Sequence, residues 1–138
     1  MIVFIDTSGW LAVAIKNDKN HRKAVNYYKR ILNEGNLLIT SDYIIDETIT
    51  RLRYDLSYGK AIQFKKLIDQ AEDEDLLRIE WIDRKIFDKA ISIFRKYNDQ
   101  LFSFTDCTSF ALCEENNIKN VFAYDDDFIT MGYILPYS

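Results

Sequence analysis

Apolar residues fall along this chain in two rhythms. Short unbroken runs at Ile2-Val3-Phe4-Ile5, Leu37-Leu38-Ile39 and Val121-Phe122-Ala123-Tyr124 read as strands, the first of them buried on both faces. Leu77 to Trp81 alternates instead and reads as an edge strand. Between these runs the spacing turns helical. Gly9 to Ile15 makes a short apolar helix, and Ala24, Tyr27, Tyr28, Ile31 and Leu32 mark a second that stops at Gly35. Ile45, Ile49, Leu52 and Leu56 define the buried stripe of a third helix. Gly59 is expected to break it, with Ala61, Phe64, Leu67, Ile68 and Ala71 forming the second arm of a helical hairpin. Ile86, Ala90, Ile93 and Tyr97, flanked by Phe87, Ile91 and Phe94, give a fifth helix. Ser103 opens a sixth, with Phe110 and Cys113 on its inner side and its end near Asn116-Asn117. Tyr133-Ile134-Leu135 reads as a short fifth strand.

Strands that alternate with helices or helix pairs call for a parallel sheet covered on both faces, since right-handed crossovers place the helices there. The expected fold class is α/β, a three-layer α/β/α sandwich around a central parallel sheet of four or five strands, forming one unit over residues 1–138. In such a sheet the carboxyl ends of all strands share one edge, where ligands bind. Asp6 and Asp125 follow strands and meet there if those strands are neighbours. Glu47 and Asp106 lie in the amino-terminal parts of helices opening from the same edge. Glu47 is about 200° around its helix from Ile45, and so is expected to point away from the buried stripe.

Composition narrows the classes further. A hydrophobic share of 48% with 29% charged residues describes a globular chain rather than a disordered one. The net charge of −4 gives no global attraction for nucleic acid, so a polyanion would have to be met by local Lys and Arg or by bound cations. Cys107 and Cys113 are spaced for neither a metal site nor a disulfide, which points to a reducing, cytoplasmic compartment. The apolar start is too short before Asp6 to be a signal peptide or a membrane span, so no membrane association is expected.

Each acid taken singly fits a structural role. Asp6 suits a helix cap, Ser103-Phe104-Thr105-Asp106 a capping box, Glu47 a first-turn acid and Asp125 a turn former. Taken together they converge on one edge. Carboxylates within about 4–6 Å repel unless a cation neutralises them, and an oxygen-only set of high charge favours Mg²⁺ or Mn²⁺ over zinc. Such a cluster suits phosphodiester hydrolysis by metal-activated water, in which two ions about 3.5–4 Å apart serve the attacking and leaving oxygens. Thr7, Ser8, Thr40 and Ser41 are candidates for orienting the acids or for capping. Arg51 is placed to pair with Glu47 or to reach a phosphate, and His21 reads as a surface or packing residue. Lys16, Lys19, Arg22 and Lys23 form a basic patch able to track an RNA backbone. The run Glu72-Asp73-Glu74-Asp75 reads as a solvated turn.

The residues at these positions resemble a known family. Phe4-Ile5-Asp6-Thr7-Ser8, Ile45-Asp46-Glu47, Phe104-Thr105-Asp106 and Tyr124-Asp125-Asp126-Asp127-Phe128, spread over nearly the whole chain, are similar to the PIN-domain proteins of the VapC type. The resemblance implies a PIN-like nuclease domain and a Mg²⁺- or Mn²⁺-dependent endoribonuclease, the toxin of a toxin–antitoxin pair. It implies Asp6, Glu47, Asp106 and Asp125 as the acidic quartet, with Asp127 as a further metal ligand. Ala123 departs from the family, which often has Thr or Ser there. RNA, a cognate antitoxin and a second copy in a homodimer are the implied partners, and Trp10, Tyr54 and Tyr58 are candidate contact aromatics. A non-catalytic PIN-like module binding RNA or protein is the alternative. A phosphatase or phospho-receiver is disfavoured, because Ser8 stands where a second Asp would be needed and no early acid pair is present.

Overall fold

A computed structural model of the chain describes residues 1–136, so the last two positions of the expected 1–138 unit lie outside it. Four strands, β1 (Ile2–Ile5), β2 (Leu37–Ser41), β3 (Leu77–Glu80) and β4 (Asn120–Phe122), form one parallel sheet in the order β3-β2-β1-β4. The connections carry helix pairs. α1 (Thr7–Ala14) and α2 (His21–Asn33) join β1 to β2, α3 (Asp42–Asp55) and α4 (Tyr58–Asp73) join β2 to β3, and α5 (Arg84–Lys96) and α6 (Phe104–Glu115) return to β4. The last step crosses the sheet in the opposite direction, so right-handed crossovers put α5 and α6 on the face away from the other four. The result is the expected α/β/α sandwich, with four strands.

The two inner strands have the unbroken apolar character that burial on both faces requires: Val3, Phe4, Ile5, Leu38 and Ile39 are all fully buried. At the edge β3 alternates, with Leu77 buried and Arg78 exposed. Rings join the layers on the sheet's far side, where Phe110 packs edge-on against both Phe102 and Phe128 at 5.1 Å.

Several boundaries differ from the sequence expectation. The third helix ends at Leu56-Ser57 rather than at Gly59, because Ser57 caps α4 by accepting from the Lys60 amide at 3.1 Å. β4 ends at Phe122, leaving Ala123 and Tyr124 outside the ladder, and β3 ends before Trp81. The segment Tyr133-Ile134-Leu135 contributes one parallel bridge, Asn120 to Ile134, and not a fifth strand. A short helix not expected from the sequence, α7 (Asp127–Thr130), follows β4.

The stripe on α3 is also rotated. Ile44, Thr48 and Leu52 are buried, Ile45 and Ile49 only partly so, and Leu56 is exposed. The inward face therefore centres on Thr48, about 70° around from the middle of the expected stripe. Glu47, one residue before Thr48, lies about 100° from that centre, at its flank instead of opposite it.

Gly9 sets the approach of α1 to the sheet. A Cβ at this position would stand 2.4 Å from the Phe122 carbonyl oxygen, closer than any side chain tolerates. With only hydrogen there, the first turn of α1 closes against the end of β4, and the Asp6 amide donates to that same carbonyl at 3.1 Å. This brings the residue after β1 beside the segment that follows β4.

Candidate active site

Asp6 is the first residue past β1 and the N-cap of α1. Its Oδ2 accepts from the Ser8 amide at 3.1 Å and from Ser8 Oγ at 2.6 Å. Ser8 Oγ in turn accepts from the Tyr124 amide at 2.9 Å, so one hydroxyl ties the end of β1 to the segment after β4. The acid is therefore both a cap and a fixed, inward group, and the two roles do not compete.

Asp106 plays the same double part. It is the third residue of α6 and completes the capping box with Ser103, whose Oγ accepts from the Asp106 amide at 3.0 Å. Only one carboxylate oxygen is taken by this box, through the Ser103 amide at 3.2 Å, which leaves the other outside the box's hydrogen bonds. Asp125 accepts from the Asp127 amide at 2.9 Å and so holds the entry to α7.

Asp6, Glu47, Asp106 and Asp125 line one cavity of about 270 Å³, together with Thr7, Ser8, Leu11, Asp18, Asn20, Arg51 and Tyr124. Four acids distant in sequence are thus gathered at the carboxyl edge of the sheet. Asp127 does not line that cavity, yet one carboxylate oxygen from each of Asp106, Asp125 and Asp127 lies within 4.8 Å of the others. The acids consequently form two overlapping groups that share Asp106 and Asp125. Asp126 is exposed and belongs to neither.

The electrostatics follow from burial and crowding. Asp6 is 4% exposed, and burial pushes its carboxyl up to about 6 against the Ser8 hydrogen bonds that oppose the shift, with Asp125 and Glu47 adding repulsion. Burial, then the charges of Asp6 and Asp125, pushes Asp106 up to about 7. Asp127 is also raised, by burial and by Asp125. Among the described residues no Lys, Arg or His forms an ion pair with Asp6, Glu47, Asp106 or Asp125. Arg51 lines the cavity, but it pairs with the exposed Asp55 at 3.6 Å rather than with Glu47, contrary to the simpler sequence reading. The donor set therefore offers only oxygens, four carboxylates that no ion pair neutralises, and both features fit a hard divalent cation.

The remaining candidates divide. Thr40 is fully buried behind the sheet edge, donating to the Ile5 carbonyl at 2.9 Å and accepting from Trp10 Nε1 at 3.3 Å, while Ser41 caps α3. Both are structural. Thr7 lines the cavity, and its buried Oγ1 has no hydrogen-bond partner among the described residues. His21 is tied through Nδ1 to the Ala12 carbonyl at 2.9 Å and serves packing. Trp10, expected among the contact aromatics, is 1% exposed and packs on Phe64 and Tyr28, whereas Tyr54 and Tyr58 are well exposed. Cys107 and Cys113 are buried free thiols. Sequence reasoning missed Asp18, Asn20 and Tyr124. The first two fall in a short polar stretch between α1 and α2, and only their place in the cavity lining distinguishes them.

Known proteins share this fold. The PIN domain family matches residues 3–132 of the chain. The 23S rRNA-specific endonuclease VapC20 of Mycobacterium tuberculosis is 25% identical over 133 residues, covering 96% of both chains. The crystal structure of the same organism's VapC20, a sarcin–ricin loop cleaving toxin, matches with a TM-score of 0.81 at 26% identity over 96% of both chains. VapBC2 from Rickettsia felis, solved with a promoter DNA fragment, matches with a TM-score of 0.71 at 12% identity over 98% of this chain and 97% of that one, a likeness of fold alone.

Proposed function

The chain belongs to the PIN-domain family, and on that premise we propose that it is a metal-dependent endoribonuclease, the toxin of a toxin–antitoxin pair. The observation that carries the reading is the gathering of Asp6, Glu47, Asp106 and Asp125 in one cavity, none of them in an ion pair among the described residues. Clustered, desolvated carboxylates cost stability, and a site that only scaffolded the fold would gain nothing from them.

Asp6, Asp106 and Asp125 are the ligands of Mg²⁺ or Mn²⁺ in this reading, with Asp127 joining from α7 and Glu47 completing the set from α3. The divalent ion supplies an activated water and offsets the charge that builds on the phosphate. Ser8 holds the Asp6 carboxylate in one orientation, and the capping box does the same for Asp106. Glu47, half-buried at the flank of the α3 stripe, is the carboxylate best placed to accept a proton, since it carries no hydrogen bond to a neighbour among the described residues. Arg51 is the one Lys, Arg or His among the lining residues. Released from its exposed partner Asp55, it can hold a non-bridging phosphate oxygen.

RNA is the proposed substrate, with 23S rRNA, the target named for the VapC20 relative, as the first to try. A cognate antitoxin and a second copy of the chain are the proposed protein partners, with Tyr54 and Tyr58 as exposed aromatic contacts. No helix among the described residues is long and apolar enough to cross a membrane. The test is cleavage of structured RNA by the purified protein with Mg²⁺ or Mn²⁺, with chelator, and in Asp6→Asn. Cleavage that requires the ion and disappears in the variant is expected, and undiminished cleavage by Asp6→Asn refutes the proposal.

A further inference from the structure

Tyr124 belongs to two cavities. One is the acidic cavity, and the other, of about 460 Å³, is lined by Lys23, Asn26, Tyr27, Arg30, Tyr124 and Pro136. The second has the opposite character, with two cations, two phenol rings and an amide in place of carboxylates. Its volume falls in the range of sites that enclose small ligands.

The wall is built by α2. Lys23, Tyr27 and Arg30 are spaced by four and three residues, which puts them along one helix face. The Tyr27 ring packs edge-on against Phe122 at 4.9 Å, and Phe122 meets the Tyr124 ring at 6.0 Å. Phe122 is fully buried as the last residue of β4, so both tyrosines rest on a fixed floor. The Arg30 guanidinium lies 5.1 Å from the centre of the Tyr27 ring, a cation–π contact that keeps the charge over the cavity wall. Its other partner, Glu34 at 3.5 Å, is exposed, and such a pair yields readily to a phosphate. Burial raises the pKa of both phenols, so neither ring adds negative charge to the wall.

Aromatic faces beside paired cations are the means by which proteins hold an unpaired base and its backbone. We propose that this cavity is a nucleotide subsite contiguous with the acidic cavity: it takes an unpaired RNA base against Tyr124 and the adjoining phosphates on Lys23 and Arg30. Asn26 offers an amide to the base edge. Of the basic residues expected to track RNA, Lys23 is the one that lines the subsite, and Arg30, one turn beyond Asn26, joins it. On a chain of net charge −4, this basic wall decides on which side of the carboxylates the strand leaves. The inference rests on the ribonuclease reading for its substrate class.

The test combines binding and cleavage. A fluorescein-labelled single-stranded RNA oligonucleotide is titrated in Ca²⁺ with the full chain, with the Lys23→Gln and Arg30→Gln double variant, and with Tyr124→Leu, and the same proteins are assayed for cleavage in Mn²⁺. The double variant replaces exposed residues, and an unchanged melting temperature confirms its fold. Affinity is expected to fall by about tenfold or more in each variant. The slope of log affinity against log salt is expected to flatten by about 1.4 in the double variant, about 0.7 for each phosphate no longer neutralised. Wild-type affinity and salt slope in the double variant, with RNA still cleaved, overturn the subsite and leave the ribonuclease standing. Binding that the variants lose, without cleavage by any protein, supports the subsite and overturns the ribonuclease. Neither binding nor cleavage by the wild-type chain overturns both.

Discussion

Replacing Asp6 by asparagine should stabilise the metal-free protein at neutral and alkaline pH while abolishing cleavage. Asp6 is nearly inaccessible, and burial lifts its carboxyl from 3.8 to about 6, with Asp125 and Glu47 contributing further. A carboxyl with a raised native pKa binds more protons folded than unfolded, so stability declines as pH rises. The loss begins near the unfolded value of about 4 and is complete above about 7. A rise of about two pKa units corresponds to about 3 kcal/mol at alkaline pH, an order-of-magnitude figure that already includes the opposing Ser8 hydrogen bonds. Asparagine keeps an oxygen to accept from the Ser8 amide and removes the charge. For a chain of this length the gain amounts to about 10 °C in melting temperature. The assay is thermal or guanidinium unfolding of both proteins in chelator, at about pH 4 and about pH 8. The variant should be the more stable only at the higher pH, with the two nearly equal at the lower, where Asp6 is already neutral. Saturating Mn²⁺ should reverse the order, because only the wild-type site gains binding energy. A variant less stable than wild type at about pH 8 in chelator, or a gap that does not change with pH, refutes the reasoning.

Three further outcomes follow from the same site. Because Asp6 and Asp106 are raised to about 6 and about 7, ion binding below neutrality should release protons and weaken as pH falls through that window, as calorimetry in buffers of different ionisation enthalpy would show. Ser8→Ala removes the hydroxyl that accepts from the Tyr124 amide and donates to Asp6, leaving Asp6 only the backbone amide of residue 8, and should cost about 1–3 kcal/mol in the denaturant midpoint. Gly9→Ala forces α1 away from the Phe122 carbonyl and should cost about 1–3 kcal/mol or more in the same measurement, with weaker ion binding because Asp6 moves with the helix.

Local pattern was enough to set the layers of this protein and to supply its acids. Unbroken runs such as Val3-Phe4-Ile5 can be stable only between two covering layers, and the parallel order with helical crossovers follows from that burial. The capping box at Ser103 and Asp106 was legible because it is local, its partners lying three residues apart. Other features depended on where distant segments come to rest. The apolar spacing of α3 fitted two neighbouring stripes, and packing against α1 and the sheet chose the one running through Ile44, Thr48 and Leu52, which left Glu47 at its flank in the cavity lining. Arg51 had acids four residues away on either side, and the structure gave it Asp55. Asp18 and Tyr124 had no local mark of function, and α7, which brings Asp127 to Asp106 and Asp125, is too short for periodicity to reveal. Periodicity reports which way a residue faces within its own element. Which residues of other elements it then meets is set by the strand order β3-β2-β1-β4 and by the close approach at Gly9, and these are contacts across the chain that no local pattern encodes.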